Sequence, residues 1–179
     1  LGSERSGTNL LRTRLDNHSN IAAPTPPHLL KWVYNLEPYY GDLKKNDKFK
    51  ILIKDMINII KINLAPWDLE FDIEEIIRRI KPEDRSVMAL FDYFFSEYAK
   101  SNGKKRWFCK DNNMFDYAWA INYYFQNPKF IYLVRDPRDV CLSNFKRNLG
   151  PNTAYTFTKL WKQEQEKCIR LYKSSYFEK

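Results

Sequence analysis

Cysteine is scarce in this chain and histidine scarcer: Cys109, Cys141 and Cys168 are the three cysteines, and His18 and His28 the two histidines. The cysteines are odd in number, far apart and without paired spacing, which argues against a disulfide framework or a zinc site and leaves them as reduced packing residues. Long hydrophobic runs are lacking, so no segment approaches the length of a membrane span. No helix-turn-helix, RNA-recognition or zinc-finger pattern is found. What is plentiful is apolar and aromatic: 44% of the 179 residues are hydrophobic and 16% aromatic, enough for one domain with a real core and incompatible with disorder. The net charge of +8 fits an acidic ligand, but the basic residues are spread along the whole chain. Charge alone therefore does not choose between cofactor, acidic substrate, membrane surface and nucleic acid.

Residues 2–9, Gly-Ser-Glu-Arg-Ser-Gly-Thr-Asn, run straight into Leu10-Leu11-Arg12, so a flexible turn carrying hydroxyls and a cation opens a predicted helix. Gly2 and Gly7 let the backbone curl and approach an anion closely, and the first N–H groups of the helix point unpaired toward the same spot. A triphosphatase loop needs lysine after its last glycine, to follow the β- and γ-phosphates; here Thr8 follows Gly7 and the cation is Arg5. A loop that grips phosphate without that lysine suits a nucleotide with no triphosphate. The plainer alternative is a strand-to-helix turn in which Ser6 or Thr8 caps the helix.

A second segment has the same flavour. Phe130-Ile131-Tyr132-Leu133-Val134 reads as a strand buried on both faces of a parallel sheet. Asp136 then fits an N-cap, Pro137 the first helical position and Asp139 the acidic site of the first turn. Arg135 and Arg138 oppose the dipole of that helix unless an anion lies there too, so a second anion site is the economical explanation. Its rival is surface pairing of both arginines with Asp136 and Asp139.

Arg5-Ser6-Gly7-Thr8 opening a helix, then Trp107-Phe108-Cys109-Lys110-Asp111, then Val134-Arg135-Asp136-Pro137-Arg138-Asp139-Val140 with Ser143 eight residues after Arg135, resembles the sulfotransferase family that uses 3′-phosphoadenosine 5′-phosphosulfate (PAPS). Arg5 stands where the cytosolic steroid and phenol branch has lysine, so the resemblance is nearer to the bacterial, tyrosylprotein and glycan branches. It implies that Arg5, Ser6, Gly7, Thr8 and Asn9 hold the 5′-phosphosulfate end of the donor, and that Arg135 and Ser143 hold its 3′-phosphate. A planar guanidinium making paired bonds to phosphate, with one hydroxyl added, agrees with that role. Lys110 would neutralise charge on the sulfuryl or bridging oxygen as the bond to sulfur breaks. No metal is expected, because Arg5, Lys110 and helix N-termini supply the charge that magnesium supplies to triphosphates. Read by itself, Lys110 is a solvated lysine near Lys104-Lys105-Arg106.

The acceptor needs a base, and here the chain departs from the family pattern. Relatives commonly carry a glutamate in a Pro-Glu-x-His-like stretch, or a histidine after the lysine motif; this chain has Pro24-Thr25-Pro26-Pro27-His28 and Lys110-Asp111-Asn112. Histidine ordinarily titrates where proton abstraction near neutrality needs it, so His28 is one candidate and Asp111 the other. The structural alternative is that His28 caps the helix starting near Leu29. His18, in Asp16-Asn17-His18-Ser19-Asn20, reads as a helix stop and turn.

Predicted helices cover Thr8–Asn17, Leu29–Leu36, Phe49–Leu64, Ile73–Ile80 behind an Asp72/Glu75 capping box, Ser86 to Lys100, Met114–Phe125 and Thr153–Tyr172. Strands are expected at Ile21–Ala23, at Arg106–Cys109 and leading into Arg135. Phe91, Tyr93, Phe94, Phe95 and Tyr98 read as core, with one edge available to an acceptor pocket. The alternation predicts an α/β fold: a three-layer parallel sheet flanked by helices, P-loop nucleotide-binding-like, with phosphate sites at the carboxyl ends of the strands. Residues 1–179 are expected to form a single sulfotransferase domain, a partial copy lacking the first strand and the C-terminal part, and for that reason not necessarily active alone. The expected function is transfer of a sulfuryl group from PAPS to a hydroxyl or amine. The alternatives are a P-loop nucleotide or small-molecule kinase and a non-enzymatic basic nucleic-acid-binding domain. A small molecule, lipid, glycan or peptide would serve as acceptor, and nucleic acid is not an expected partner. With no leader segment ahead of the loop, the expected compartment is the cytoplasm, the alternative being a lumenal catalytic domain of a membrane-anchored protein.

Overall fold

The computed structural model describes residues 1–146 and 153–174. The chain divides into two compact units, Arg12–Lys110 and a second made of Leu1–Leu11 with the residues from Asp111 onward. Helix α1, Thr8–Asp16, runs from one into the other.

In the unit Arg12–Lys110, β1 (Ile21–Ala22) pairs in parallel with β2 (Arg106–Trp107), Ile21 opposite Arg106 and Ala22 opposite Trp107. The ladder extends at both ends, Arg106 N donating to Asn20 O at 2.9 Å and Phe108 N to Ala22 O at 2.7 Å. The end of β1 is held by side chains of α1: Arg12 donates to Ala23 O at 2.7 Å, and Ala23 N donates to Asp16 Oδ1 at 2.8 Å. Helix α2 is Leu29–Val33, followed by a 3-10 turn over Tyr34–Tyr40; α3 is Asn46–Lys61, α4 Ile73–Arg79 and α5 Val87–Ser101. Helix α5 packs on both strands, and the three other helices complete the unit. In α3, Phe49, Leu52, Ile53, Met56 and Ile60 recur at helical spacing and are buried, and in α5 Phe91, Phe94 and Phe95 are buried. Each such side chain contributes about 1.5–3 kcal/mol by leaving water. The rings interlock around Trp107, which meets Phe95 at 5.2 Å and Phe91 edge-on at 5.6 Å.

Local signals predicted these elements well. Asp72 caps α4 by accepting from Glu74 N and Glu75 N, and Ser86 caps α5 by accepting from Ala89 N. The differences lie at element ends. The expected helix over Leu29–Leu36 tightens to a 3-10 turn at Tyr34, with Pro38 inside it and so unable to supply a helical N–H. The strand expected over Arg106–Cys109 is two residues long.

In the other unit, α6 is Ala118–Tyr124, α7 Pro137–Phe145 and α8 Ala154–Lys173, with a 3-10 turn at Met114–Asp116. The helix expected over Met114–Phe125 is divided at Tyr117, whose φ of −110° and ψ of 0° leave the helical range. Asp136 caps α7 by accepting from Arg138 N, and Thr153 caps α8 by accepting from Thr156 N. Segment 131–133 is extended, but it is not the doubly buried strand expected. Ile131 is 42% and Val134 54% exposed, and the segment's backbone pairs with Leu1. Leu1 N donates to Ile131 O at 2.6 Å, and Leu133 N donates to Leu1 O at 2.9 Å. This is the alternating pattern of a parallel pair, one residue long. A run without partner strands has nothing to bury its two faces against. The assigned sheet among the described residues is therefore the β1–β2 pair, smaller than the three-layer sheet the sequence predicts.

Candidate active site

Residues 2–7 form a loop stretched between the extended segment 131–133 and α1. A Cβ built on Gly2, where φ is +148°, would lie 2.6 Å from Leu133 O, so only glycine lets the loop leave this pairing. Gly7, at φ +91°, gives the last bend, and its carbonyl accepts Leu11 N at 3.1 Å, starting α1. Arg5 is left-handed without being glycine, φ +65°. That conformation costs of order 1–3 kcal/mol and persists only where neighbours over-determine it.

Two neighbours do so. Arg5 Nε donates to Ser143 Oγ at 3.0 Å, and Arg5 O accepts from Arg135 Nη1 at 3.1 Å. Two guanidiniums and a hydroxyl from the loop, the end of segment 131–133 and α7 thus meet in one cluster. The sequence motifs place Arg5 at one end of a donor and Arg135 with Ser143 at the other; the structure joins all three. Arg135 Nε is 3.8 Å from Asp139 Oδ2, and the Arg135 side chain is 42% exposed, so it is not consumed by that pair. Arg138 behaves as the surface-pairing alternative describes: it grips Asp136 with Nε on Oδ1 at 3.0 Å and Nη2 on Oδ2 at 2.7 Å. This contact brings the Asp136 carboxyl down to about 2.

Ser6 lies between Arg5 and Gly7. It is 5% exposed, and its Oγ has no hydrogen-bond partner among the described residues. A buried hydroxyl without a partner costs about 1–3 kcal/mol and calls for explanation by a missing group. A phosphate or sulfuryl oxygen, an acceptor with no proton of its own, fits that hydroxyl and the adjoining cations. Thr8 is the first residue of α1, so the loop runs directly into a helix N-terminus, whose dipole favours an anion.

The remaining candidates belong to the strand ends. Because β1 and β2 are parallel, both carboxyl ends face one edge, and the Pro24–Pro27 turn with His28 and the segment Cys109-Lys110 leave from it. In open α/β sheets that edge is where ligands bind. The turn is held by Trp67 Nε1 donating to Thr25 O at 2.8 Å and Asn63 Nδ2 donating to Pro26 O at 3.1 Å. His28 is half-buried at the start of α2 in a left-handed conformation, φ 60°, and its side chain makes no capping bond. His28 thus occupies the N-cap position of α2 as the structural alternative expects, with its backbone carbonyl accepting from Trp32 N at 3.2 Å and no side-chain cap bond. His18 is a turn residue as expected, its Nδ1 accepting from Asn20 N at 3.1 Å. Asp111 and Asn112 are half-buried, and Asn112 Nδ2 donates to Glu4 Oε1 in the loop at 2.7 Å.

Among the described residues no His, Cys, Asp and Glu side chains gather into a metal-binding group. None of the described helices is long and apolar enough to cross a membrane. The three cysteines are free thiols, and burial pushes Cys168 up to about 11. Two buried polar residues, Ser3 within the loop and Gln165 on α8, are given no role by the sequence motifs. The signal for Gln165 is an amide interrupting the apolar stripe Phe157, Trp161, Cys168 of α8.

A sequence model described as the Sulfotransferase family matches residues 1–178. No curated protein and no solved structure matches the chain.

Proposed function

The chain belongs to the sulfotransferase family, and on that premise we propose that it moves a sulfuryl group from PAPS to a hydroxyl or amine, leaving adenosine 3′,5′-bisphosphate. The observation that carries the donor assignment is the Arg5–Ser143–Arg135 cluster adjoining the partnerless Ser6 hydroxyl. PAPS supplies an activated sulfuryl group on a phosphate leaving group. Ser6, Gly7, Thr8 and Asn9 hold its 5′ end through the Ser6 hydroxyl and the first N–H groups of α1. Arg135 and Ser143 hold the 3′-phosphate, and Arg5, bonded to Ser143, links the two ends. Lys110 stabilises the negative charge that grows on the bridging oxygen as the bond to sulfur breaks. His28 or Asp111 takes the acceptor proton as the oxygen or nitrogen attacks sulfur in line. A small molecule, lipid, glycan or peptide serves as acceptor.

The test uses Arg135→Ala and two ligands. Adenosine 3′,5′-bisphosphate is expected to lose roughly ten- to a hundredfold in affinity, as for removal of one charge-assisted contact, while 5′-AMP loses little because it has no 3′-phosphate. Equal losses for both ligands would remove Arg135 from this role.

A further inference from the structure

Helix α8 reaches the loop through a buried amide. Gln165 is 5% exposed on the face it shares with Phe157 and Cys168, both buried. Its Nε2 donates to Ser3 Oγ at 2.6 Å, and its Oε1 accepts from the Tyr132 hydroxyl at 2.5 Å. Ser3 is itself 3% exposed. Through this amide α8 holds Ser3 at the beginning of the loop.

An apolar side chain at position 165 would complete the stripe without the desolvation cost of an amide. The amide instead specifies one position and one rotamer for Ser3, because its bond to the Ser3 hydroxyl fails if Ser3 shifts or turns. Two residues later the backbone enters the left-handed conformation of Arg5, which needs support on both sides. Ser143 and Arg135 supply it from Arg5 onward; Ser3 supplies it from before.

We propose that Gln165 is a positioning residue: acting through Ser3, it sets the backbone of residues 4–7 for anion binding and makes α8 part of the support of the donor site. The proposal rests on the phosphate-binding reading of the loop. It does not require Gln165 to touch the donor.

Gln165→Leu breaks the bond to Ser3 and Ser3→Ala breaks it from the other side, whereas Tyr132→Phe removes only the outer bond. Hydrogen exchange of the ligand-free chain is expected to accelerate about tenfold at the amides of residues 4–7 in the first two variants, with α6 unchanged, and to stay as in the parent in Tyr132→Phe. Affinity for adenosine 3′,5′-bisphosphate should fall about tenfold in the first two and less than twofold in the third. The double variant should show strong non-additivity. Uniform acceleration across the unit, or loop exchange that is unchanged in Gln165→Leu, overturns the proposal. If Gln165→Leu does not fold, Ser3→Ala carries the same expectations. Accelerated loop exchange in a chain whose parent binds no bisphosphate would leave the positioning role standing and defeat the donor assignment instead.

Discussion

Replacing Ser6 by alanine separates what the loop does for folding from what it does for binding. The hydroxyl is buried and unpartnered in the ligand-free chain, so it carries a desolvation cost of about 1–3 kcal/mol that alanine does not have. Taking the low end, about 1 kcal/mol, a chain of this size should melt about 2–4 °C higher as Ser6→Ala. Binding should move the other way. A hydroxyl donating to a phosphate or sulfuryl oxygen is worth about 1.5–3 kcal/mol, so adenosine 3′,5′-bisphosphate should bind roughly ten- to a hundredfold more weakly. Scanning calorimetry and isothermal titration on the same preparations give both numbers. A lower melting temperature would mean that the hydroxyl has a partner within the fold. Unchanged affinity would mean that it faces no donor oxygen.

Two other perturbations probe different links. His28→Gln and Asp111→Asn compete for the base: the true base should lose roughly a hundredfold or more in turnover with donor affinity nearly unchanged, and the other variant should keep its turnover. Retained turnover in both would exclude each of them. Burial, with Glu4 and Asp116 nearby, raises Glu164 above 4.5 despite its bond to Ser3 and the proximity of Lys167. The native state therefore holds this proton more tightly than the unfolded chain does. The resulting stability is full below the unfolded value and is lost as pH rises through the raised one. Glu164→Gln removes the charge at this buried position, so it should flatten that slope in melts followed from acid to neutral pH and stabilise the chain at neutral pH; a variant less stable at neutral pH would contradict this.

What the sequence made legible were features decided within a few residues. Asp72, Ser86 and Asp136 cap helices because a short polar side chain reaches an N–H two or three positions away, a geometry that needs no tertiary partner. The Phe130–Val134 run shows the limit: its composition asks for burial, but burial depends on neighbours, and Leu1 is the one that pairs with it. Arg138 and Arg135 look alike in sequence, yet one is held by the Asp136 cap and the other reaches Arg5, 130 positions away. No local pattern announces that Arg5 will meet Ser143 or that Ser3 will meet Gln165. The motifs named most of the candidate site; the contacts that fix its shape are long-range.

The central claim is a donor that carries phosphate at the 3′ position and needs no magnesium. Calorimetric titration of the full-length protein with adenosine 3′,5′-bisphosphate in the presence of a chelator, beside a titration with magnesium-ATP, tests it most directly. The account predicts saturable one-to-one binding of the bisphosphate without metal and much weaker binding of magnesium-ATP; tight magnesium-dependent ATP binding with none of the bisphosphate would contradict it.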